Sequence, residues 1–466
     1  MLPNDVLLEI FELCVCRAEA WETLVHVCRR WRYITFAASS RLELRLVCTT
    51  GTPAREMLDI WPKLPIVIRV SGGIGNEIGD VIAALKHHDR VCEIHVDTYA
   101  SDYKLRPLVE AMQDTFPALT ALHLNLGLMP RAEPFVPDSL LGGTAPCLRS
   151  LFLRNFASSE LPKLLLSASS LVDISLLHIP YSRATSPETM FGCLSSMTKL
   201  EQLRIGFQRD SKYIPRSTSH RPSRSPLTCT VLPMLTSFSF EGESEYLDHL
   251  FSLIDAPLLD RLDYVNIEYT NTPVLDITQI PLFIGWTEPF RELDRAHMRF
   301  IYDYVDVILS SREGTTAHNM VTFSIAHDFK GWRLSSLTRG PPITFFERFD
   351  ISSSGYLPLL ADDMGNTPWL ELLRIFTAVE DLYLSNGLAL CVTRALRELT
   401  GEGLAGVLPA LRNLSISRLE PSGPVREAIG KFAAARELSG RPIVVQHWGM
   451  KGDSTSNCAR RSIIDN

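Results

Sequence analysis

The stretch Pro117-Ala118-Leu119-Thr120-Ala121-Leu122-His123-Leu124 contains the pattern that decides the fold. A proline precedes an apolar residue, two variable positions follow, and apolar residues then occupy alternate positions. The alternation of Leu122 and Leu124 has a period of two, which predicts a short strand with one apolar face. The same spacing returns in Pro146-Cys147-Leu148-Arg149-Ser150-Leu151-Phe152-Leu153. The chain is therefore expected to repeat one strand-forming unit.

The pattern recurs along the chain at intervals of about 23 to 35 residues, around the roughly 20–29 residues of a leucine-rich repeat. Its last two apolar positions are Ile94 and Val96, Leu122 and Leu124, Leu151 and Leu153, Ile174 and Leu176, Leu203 and Ile205, Phe238 and Phe240, Leu262 and Tyr264, Leu382 and Leu384, and Leu414 and Ile416. These residues are expected in the core. Their neighbours His123, Phe152 and Ser415 are expected on the outer face of the sheet.

Helical patterns such as Ile78 to His87 and Leu105 to Met112 lie between the copies. A strand–helix unit buries its apolar face only by stacking on its neighbours. The sequence thus predicts an irregular α/β leucine-rich-repeat solenoid over residues 46–448. The motif is lost over residues 265–378, which we interpret as degenerate repeats with insertions, although a separate domain is the alternative. Strand-like alternation persists there at Phe300, Tyr302 and Tyr304, and at Val321, Phe323 and Ile325.

Three further segments complete the organisation of the chain. A helix from Val425 to Glu437 and a strand at Ile443 to Val445 are expected to cap the array. Residues 209–226 are rich in serine, proline and basic residues and predict a flexible loop. Residues 449–466 are polar and predict a disordered tail.

The first forty or so residues predict helices that are too apolar to be buried on their own. Pro3 lies in the first turn of the first helix, where proline is favoured. Val6, Ile10, Leu13 and Cys14 fall on one stripe of that helix, with Leu7 and Phe11 beside it. A second helical pattern runs from about Glu19 to Ala37. Some of this apolar surface must therefore meet another domain or another chain.

These residues resemble an F-box. The family pattern has Leu-Pro, an acid and two aliphatic residues, then Val-Cys-Arg-Arg-Trp about twenty residues later. This sequence has Leu2-Pro3-Asn4-Asp5-Val6-Leu7 and Val27-Cys28-Arg29-Arg30-Trp31. The resemblance covers residues 1–45 and implies a three-helix domain that docks on the Skp-type linker of a cullin-RING ubiquitin ligase.

The resemblance also implies which residues contact the linker: Leu2, Pro3, Val6, Leu7, Ile10, Phe11, Val27, Cys28 and Trp31. Two departures from the family pattern favour weaker docking. The usual lead-in before Leu2 is missing, and the loop from Cys14 to Glu19 differs from the common form. With Thr49 to Arg55, Trp61-Pro62 and Trp369 to Trp448, the chain resembles the F-box proteins with irregular repeats of mushroom-forming fungi.

Composition excludes several classes of protein. The chain of 466 residues is 45% hydrophobic and 21% charged, which favours a substantial core over disorder. A net charge of −7 lacks the basic footprint of a nucleic-acid-binding protein. No apolar run suffices to span a bilayer, no secretory signal is expected, and the ten scattered cysteines indicate reduced thiols. We therefore expect a soluble cytoplasmic or nuclear protein without membrane or nucleic-acid partners.

One segment favours an enzyme instead. The strand Ile66 to Val70, the loop Gly73 to Gly79, a helix and the strand ending at Asp97 follow the order of a dinucleotide-binding site. The third glycine falls one residue late for that motif, so we favour a simple turn. Phosphate-loop, nucleophile-elbow and zinc-protease motifs are absent, and adjacent histidines such as His87 and His88 make poor metal ligands.

The sequence as a whole predicts an α+β protein with a three-helix F-box followed by the repeat array. We expect a non-catalytic substrate receptor of an SCF-type ubiquitin ligase, without cofactor or metal. The F-box is expected to bind the linker, and the array an unidentified target protein. The alternatives are a repeat scaffold that recruits no ligase and, with less support, an oxidoreductase that uses the loop Gly73 to Gly79.

Overall fold

The computed structural model describes residues 2–14, 20–72, 78–98, 102–127, 139–156, 161–180, 185–208, 230–242, 244–266, 293–301, 304–311, 320–326, 346–353, 366–399, 402–417 and 423–448. The chain divides into two compact units. The first comprises residues 1–241 and 252–259, and the second comprises residues 242–251 and 260–466. Both combine helices with a mostly parallel sheet, which confirms the expected mixture of helix and strand.

Unit 1 begins with three helices, α1 (Asn4–Cys14), α2 (Ala20–Val27) and α3 (Arg29–Ala37). The helical pattern expected to run from Glu19 to Ala37 is interrupted at Cys28, whose backbone is extended (φ −159°). The Cys28 Sγ accepts a hydrogen bond from the Trp31 N–H at 3.4 Å. A side chain that caps the first N–H groups starts a new helix, which explains why the pattern divides there.

The sheet of unit 1 follows chain order without exception. Its strands are β1 (Leu46–Thr49), β2 (Ile66–Ser71), β3 (Val91–Thr98), β4 (Ala121–Leu126), β5 (Ser150–Arg154), β6 (Asp173–Pro180), β7 (Gln202–Gln208) and β9 (Ser237–Gly242). Each is parallel to the strand before it. A separate parallel pair joins β8 (Thr230–Val231) to β10 (Ile254–Asp255).

Helical segments connect most of these strands: α4 (Ala54–Ile60), α5 (Ile78–Leu85), α6 (Asp102–Ala111), a 3₁₀ helix (Leu140–Gly143), α7 (Leu161–Ser167) and α8 (Pro187–Leu194). The motif leucines lie in register across the sheet, with Leu122 opposite Ile94 on one side and Leu151 on the other. All three are buried, and the expected core phase is confirmed at these positions.

Unit 2 contains α9 (Ser244–Phe251), β11 (Arg261–Asn266), β12 (Arg295–Ile301), β13 (Tyr304–Ser310), β14 (Met320–Ala326), β15 (Arg348–Ser353), α10 (Asn366–Ile375), β16 (Asp381–Leu384), α11 (Asn386–Arg397), α12 (Glu402–Gly406), β17 (Asn413–Ser417), α13 (Pro424–Leu438) and β18 (Val444–Trp448). Its strand order is β11-β14-β13-β12-β15-β16-β17-β18. The pairs β12–β13 and β13–β14 are antiparallel, and the other neighbours are parallel.

The segment in which the motif is lost therefore contains an antiparallel meander, β12 to β14. The predicted alternation at Phe300, Tyr302 and Tyr304 does not form one strand, because β12 ends at Ile301 and β13 begins at Tyr304. Tyr302 itself lies outside the described residues, as do the predicted flexible loop (209–226) and tail (449–466). Within the described ranges, no helix is both long enough and apolar enough to cross a bilayer.

Candidate functional site

The inner face of α1 belongs to the core of unit 1. Leu7 and Phe11 are buried, and the Phe11 ring lies 4.9 Å from the Trp31 ring, centroid to centroid. Trp31 is half-buried by this contact. Leu7 and Phe11 are both expected to contact the linker, but both side chains are buried. Phe11 packs on Trp31 and so holds α1 against α3.

The outer face of α1 carries an exposed apolar stripe. Val6, Ile10 and Leu13 follow one another at intervals of four and three residues, which places them on one side of α1, and the exposed Leu2 lies just before the helix begins. Ile10 is 39% exposed and Leu13 is 78% exposed. A contiguous apolar surface of this kind is a usual sign of a site that binds another protein. Leu13 was not among the residues expected to contact a partner, although it was placed on this stripe.

A second exposed group lies at the corner between α2 and α3. Val27 and Cys28 are both exposed. Two residues later, the Arg30 guanidinium donates to the Asn4 Oδ1 at 2.7 and 3.1 Å and to the Leu2 carbonyl oxygen at 2.5 Å. These bonds tie the start of α1 to the start of α3. The corner residues therefore lie near the beginning of the exposed stripe.

An aromatic cluster joins α2 and α3 to the segment that follows α4. Trp21 is fully buried, and its Nε1–H donates to the Arg45 carbonyl oxygen at 2.8 Å. The Trp21 ring packs edge-on against Phe36 at 5.9 Å and against Trp61 at 5.6 Å. These contacts fix the position of α3, on which α1 packs through Phe11 and Trp31.

One ion pair also restrains α1. Arg41 pairs with Glu12, and this hydrogen bond raises the pKa of the exposed Arg41 guanidinium. Exposed pairs of this kind contribute little to stability because water and salt screen them. The pair nevertheless links the end of α1 to the segment that follows α3.

The outer face of the unit 1 sheet forms a second candidate surface. His95, His123 and Phe152 are adjacent in register on β3, β4 and β5. The His123 and Phe152 rings stack 4.1 Å apart and almost parallel, at 4°, and the His95 ring lies 5.9 Å from His123. All three are half-buried, so the expected outward placement of His123 and Phe152 is confirmed. Burial lowers the pKa of His123, and the nearby His95 lowers it further.

Polar side chains line the next row of this face. The Asn125 Nδ2 donates to the Asp97 Oδ1 at 3.0 Å, and an Arg154 Nη2 lies 3.4 Å from the His178 Nε2. Burial raises the pKa of Glu241, an effect that Arg154 partly offsets. This face thus combines a flat aromatic patch with charged and amide groups, a composition suited to contact with another protein.

The glycine loop Gly73 to Gly79, which favoured an enzyme, is described by the structure only at its C-terminal end. The expected strand, helix and strand are present as β2, α5 and β3, but residues 73–77 lie outside the described ranges. Asp97, the acid that ends the second strand of this pattern, accepts a hydrogen bond from the Asn125 side-chain amide. No cluster of three or more His, Cys, Asp or Glu side chains suited to a metal ion occurs among the residues with assigned structure.

Comparison with known proteins assigns no family to this chain. No family model matches it, and no curated protein is similar to it.

Proposed function

We propose that this protein is a substrate-receptor subunit of an SCF-type cullin-RING ubiquitin ligase. In this proposal, α1–α3 form an F-box that docks on a Skp-type linker, and the sheets that follow bind a target protein. The chain itself is non-catalytic, and ubiquitin transfer belongs to partner subunits. The observation that supports the proposal most is the exposed apolar stripe of α1 beside the Val27–Cys28 corner.

The arrangement of the strands supports the second part of the proposal, an irregular leucine-rich-repeat array. All nine copies of the sequence motif end in a strand. In unit 1, each of these strands lies parallel beside the preceding strand of the same sheet, and β9 pairs with β7 because β8 belongs to the separate pair. This is the arrangement expected of stacked strand–helix units that share one core. The outer face with His123 and Phe152 is the proposed surface for the target.

Burial divides the nine residues implied by the family resemblance into two roles. The exposed residues form the proposed docking surface, and they are Leu2, Pro3, Val6, Ile10, Val27 and Cys28. Leu7 and Phe11 are buried and support α1 from within. Trp31 contributes to both, because one side of its ring packs on Phe11 while part remains exposed.

Calorimetric titration of the full chain with a purified Skp-type linker tests the proposal. Truncation of an apolar anchor at the centre of an interface typically costs about 2 kcal/mol or more. Ile10→Ala should therefore weaken linker binding by about tenfold or more, since tenfold corresponds to about 1.4 kcal/mol. Ile60→Ala is the matched control, because Ile60 is an exposed isoleucine on another helix of the same unit.

The control should bind the linker as the unmodified chain does. Equal affinity of the Ile10→Ala and Ile60→Ala variants would remove α1 from the docking surface. If the unmodified chain does not bind the linker, the ligase proposal fails and a scaffold that recruits no ligase becomes the better interpretation.

A further inference from the structure

A pocket of about 480 Å³ lies in unit 2 among the segments that lead into its last three strands. Ala410 and Leu411 precede β17, Pro442 precedes β18, and Thr377 precedes β16. The pocket is also lined by the side chains of three arginines, Arg412, Arg436 and Arg441. None of the residues that line the pocket belongs to the exposed stripe of α1 or to the outer sheet face of unit 1.

Arg436 is the unusual member of this group. The residue is 1% exposed, and its Nη2 donates to the Leu411 carbonyl oxygen at 2.9 Å. The buried Nε and Nη1 of the same guanidinium have no hydrogen-bond partner among the residues that the structure describes. A buried charge is costly unless it is paired, and unmet buried donors add to that cost. The positive charge of this guanidinium is therefore not neutralised by any ion pair with a described residue, and it lies beside the pocket.

The charges around Arg436 do not compensate for it. Arg441 lies close, since its backbone N–H donates to the Arg436 carbonyl oxygen at 2.9 Å. Burial lowers the pKa of Arg436, and the positive charge of Arg441 lowers it further. The exposed Arg412 pairs with Glu380 at 3.2 Å. No ion pair to Arg436 is present in the described part of the chain.

We propose that this pocket is a binding site for a phosphate group. The phosphate oxygens accept hydrogen bonds from the exposed Arg441 and Arg412, and the negative charge of the phosphate offsets that of the buried Arg436 guanidinium beside them. Arginine suits this task because its planar fork of donors matches phosphate geometry. A dianion also offsets the like charges of neighbouring arginines better than a single carboxylate does. The carrier of the phosphate is either a phosphorylated protein segment or a small phosphate compound.

Calorimetric titration of the full chain with inorganic phosphate tests the proposal. We expect saturable binding that weakens about tenfold or more in the Arg441→Gln and Arg436→Gln variants. Arg426→Gln is the matched control, since Arg426 is an exposed arginine on the same helix, α13, and does not line the pocket. Urea melts of each variant establish that it is folded. If Arg436→Gln does not fold, the exposed Arg441→Gln still provides the test.

Two outcomes would overturn the proposal: no saturable binding of phosphate by the unmodified chain, or equal binding by the Arg441→Gln variant. Titration with a capped Ala-phosphoserine-Ala peptide and its unphosphorylated form distinguishes the carriers. Tighter binding of the phosphopeptide than of inorganic phosphate supports a phosphorylated protein segment, and weaker binding supports a small phosphate compound. Equal binding of the phosphorylated and unphosphorylated peptides also contradicts the proposal. None of these outcomes depends on linker binding.

Discussion

Both units contain a mostly parallel sheet, but the order and direction of their strands differ. In unit 1, eight strands follow one another in chain order and every pair is parallel. In unit 2, β12, β13 and β14 form an antiparallel meander. The strands from β15 to β18 are again parallel and in chain order. The regular region is the one in which the sequence motif recurs, and the meander is the region in which the motif is lost.

Connection length explains the difference. A parallel neighbour requires a crossover of about a dozen residues or more, whereas antiparallel strands can be joined by a short turn. The parallel pairs of unit 1 have helical segments or long connections between them. Only Tyr302 and Asp303 separate β12 from β13, so these two strands can pair only in opposite directions. The spacing of the motif, and not its apolar content alone, therefore sets the direction of the strands.

The largest expected effect tests whether the two units share one kind of core. Leu122 in unit 1 and Leu414 in unit 2 occupy the same motif position and are both buried. Leu→Ala at either position should cost about 2–5 kcal/mol of unfolding free energy, through lost burial and the cavity left behind. His123→Ala, on the outer face, should cost much less because its half-exposed ring leaves no closed cavity. Urea melts of the three variants measure these costs.

Two results would contradict this interpretation. If His123→Ala is as destabilising as Leu122→Ala, the period-two phase of β4 is wrong. If Leu414→Ala is far milder than Leu122→Ala, the two units do not share the same core position. Ser415 lies on the outer phase of β17 yet is buried, as is Ser175 at the same motif position in unit 1. The small side chain of Ser415 stands in register between Tyr383 and Gln446, which explains how it is covered.

A smaller effect is expected from pH. Burial is the main cause that lowers the pKa of His123 in unit 1 and of His297 in unit 2. The unfolded chain therefore binds more protons than the folded one below about pH 6.5, the ordinary histidine value. Stability is fully present above that pH and is lost as the pH falls towards the lowered pKa values. His123→Gln should reduce this loss, measured as the slope of unfolding free energy against pH.

If the slope of unfolding free energy against pH is unchanged in the His123→Gln variant, His123 does not contribute to the pH dependence and this prediction is wrong. The matching variant His297→Gln sharpens the comparison between the units. The His297 Nε2 lies within hydrogen-bond distance of the Ser352 hydroxyl, at 2.7 Å. Removal of that bond should lower stability across the whole pH range as well as reduce the slope.

Periodic features of the structure could be predicted from the sequence. The alternation at Leu122 and Leu124 predicts β4 and its buried face. The same reasoning predicts the strand that ends every motif copy. The helical pattern from Val425 to Glu437 located α13. These predictions succeed because burial of one face requires a regular spacing, which a single sequence displays.

Features that depend on partners distant in sequence could not be predicted. The apolar residues of α1 gave no indication that Phe11 faces Trp31 while Ile10 faces outward. The break at Cys28 depends on a sulfur cap that a helical pattern does not reveal. Nothing in the sequence around Arg436 indicates that its guanidinium is buried against the Leu411 carbonyl group. Each of these contacts is set by tertiary packing.

The proposed docking of α1–α3 on a Skp-type linker is tested most directly by amide hydrogen exchange of the full chain with and without the linker. The linker should slow amide hydrogen exchange in α1 and at the Val27–Cys28 corner. No change is expected in β4, β17 and α13, which lie outside the proposed docking surface. Unchanged exchange in α1 in the presence of saturating linker, or protection confined to the sheets, would contradict the account.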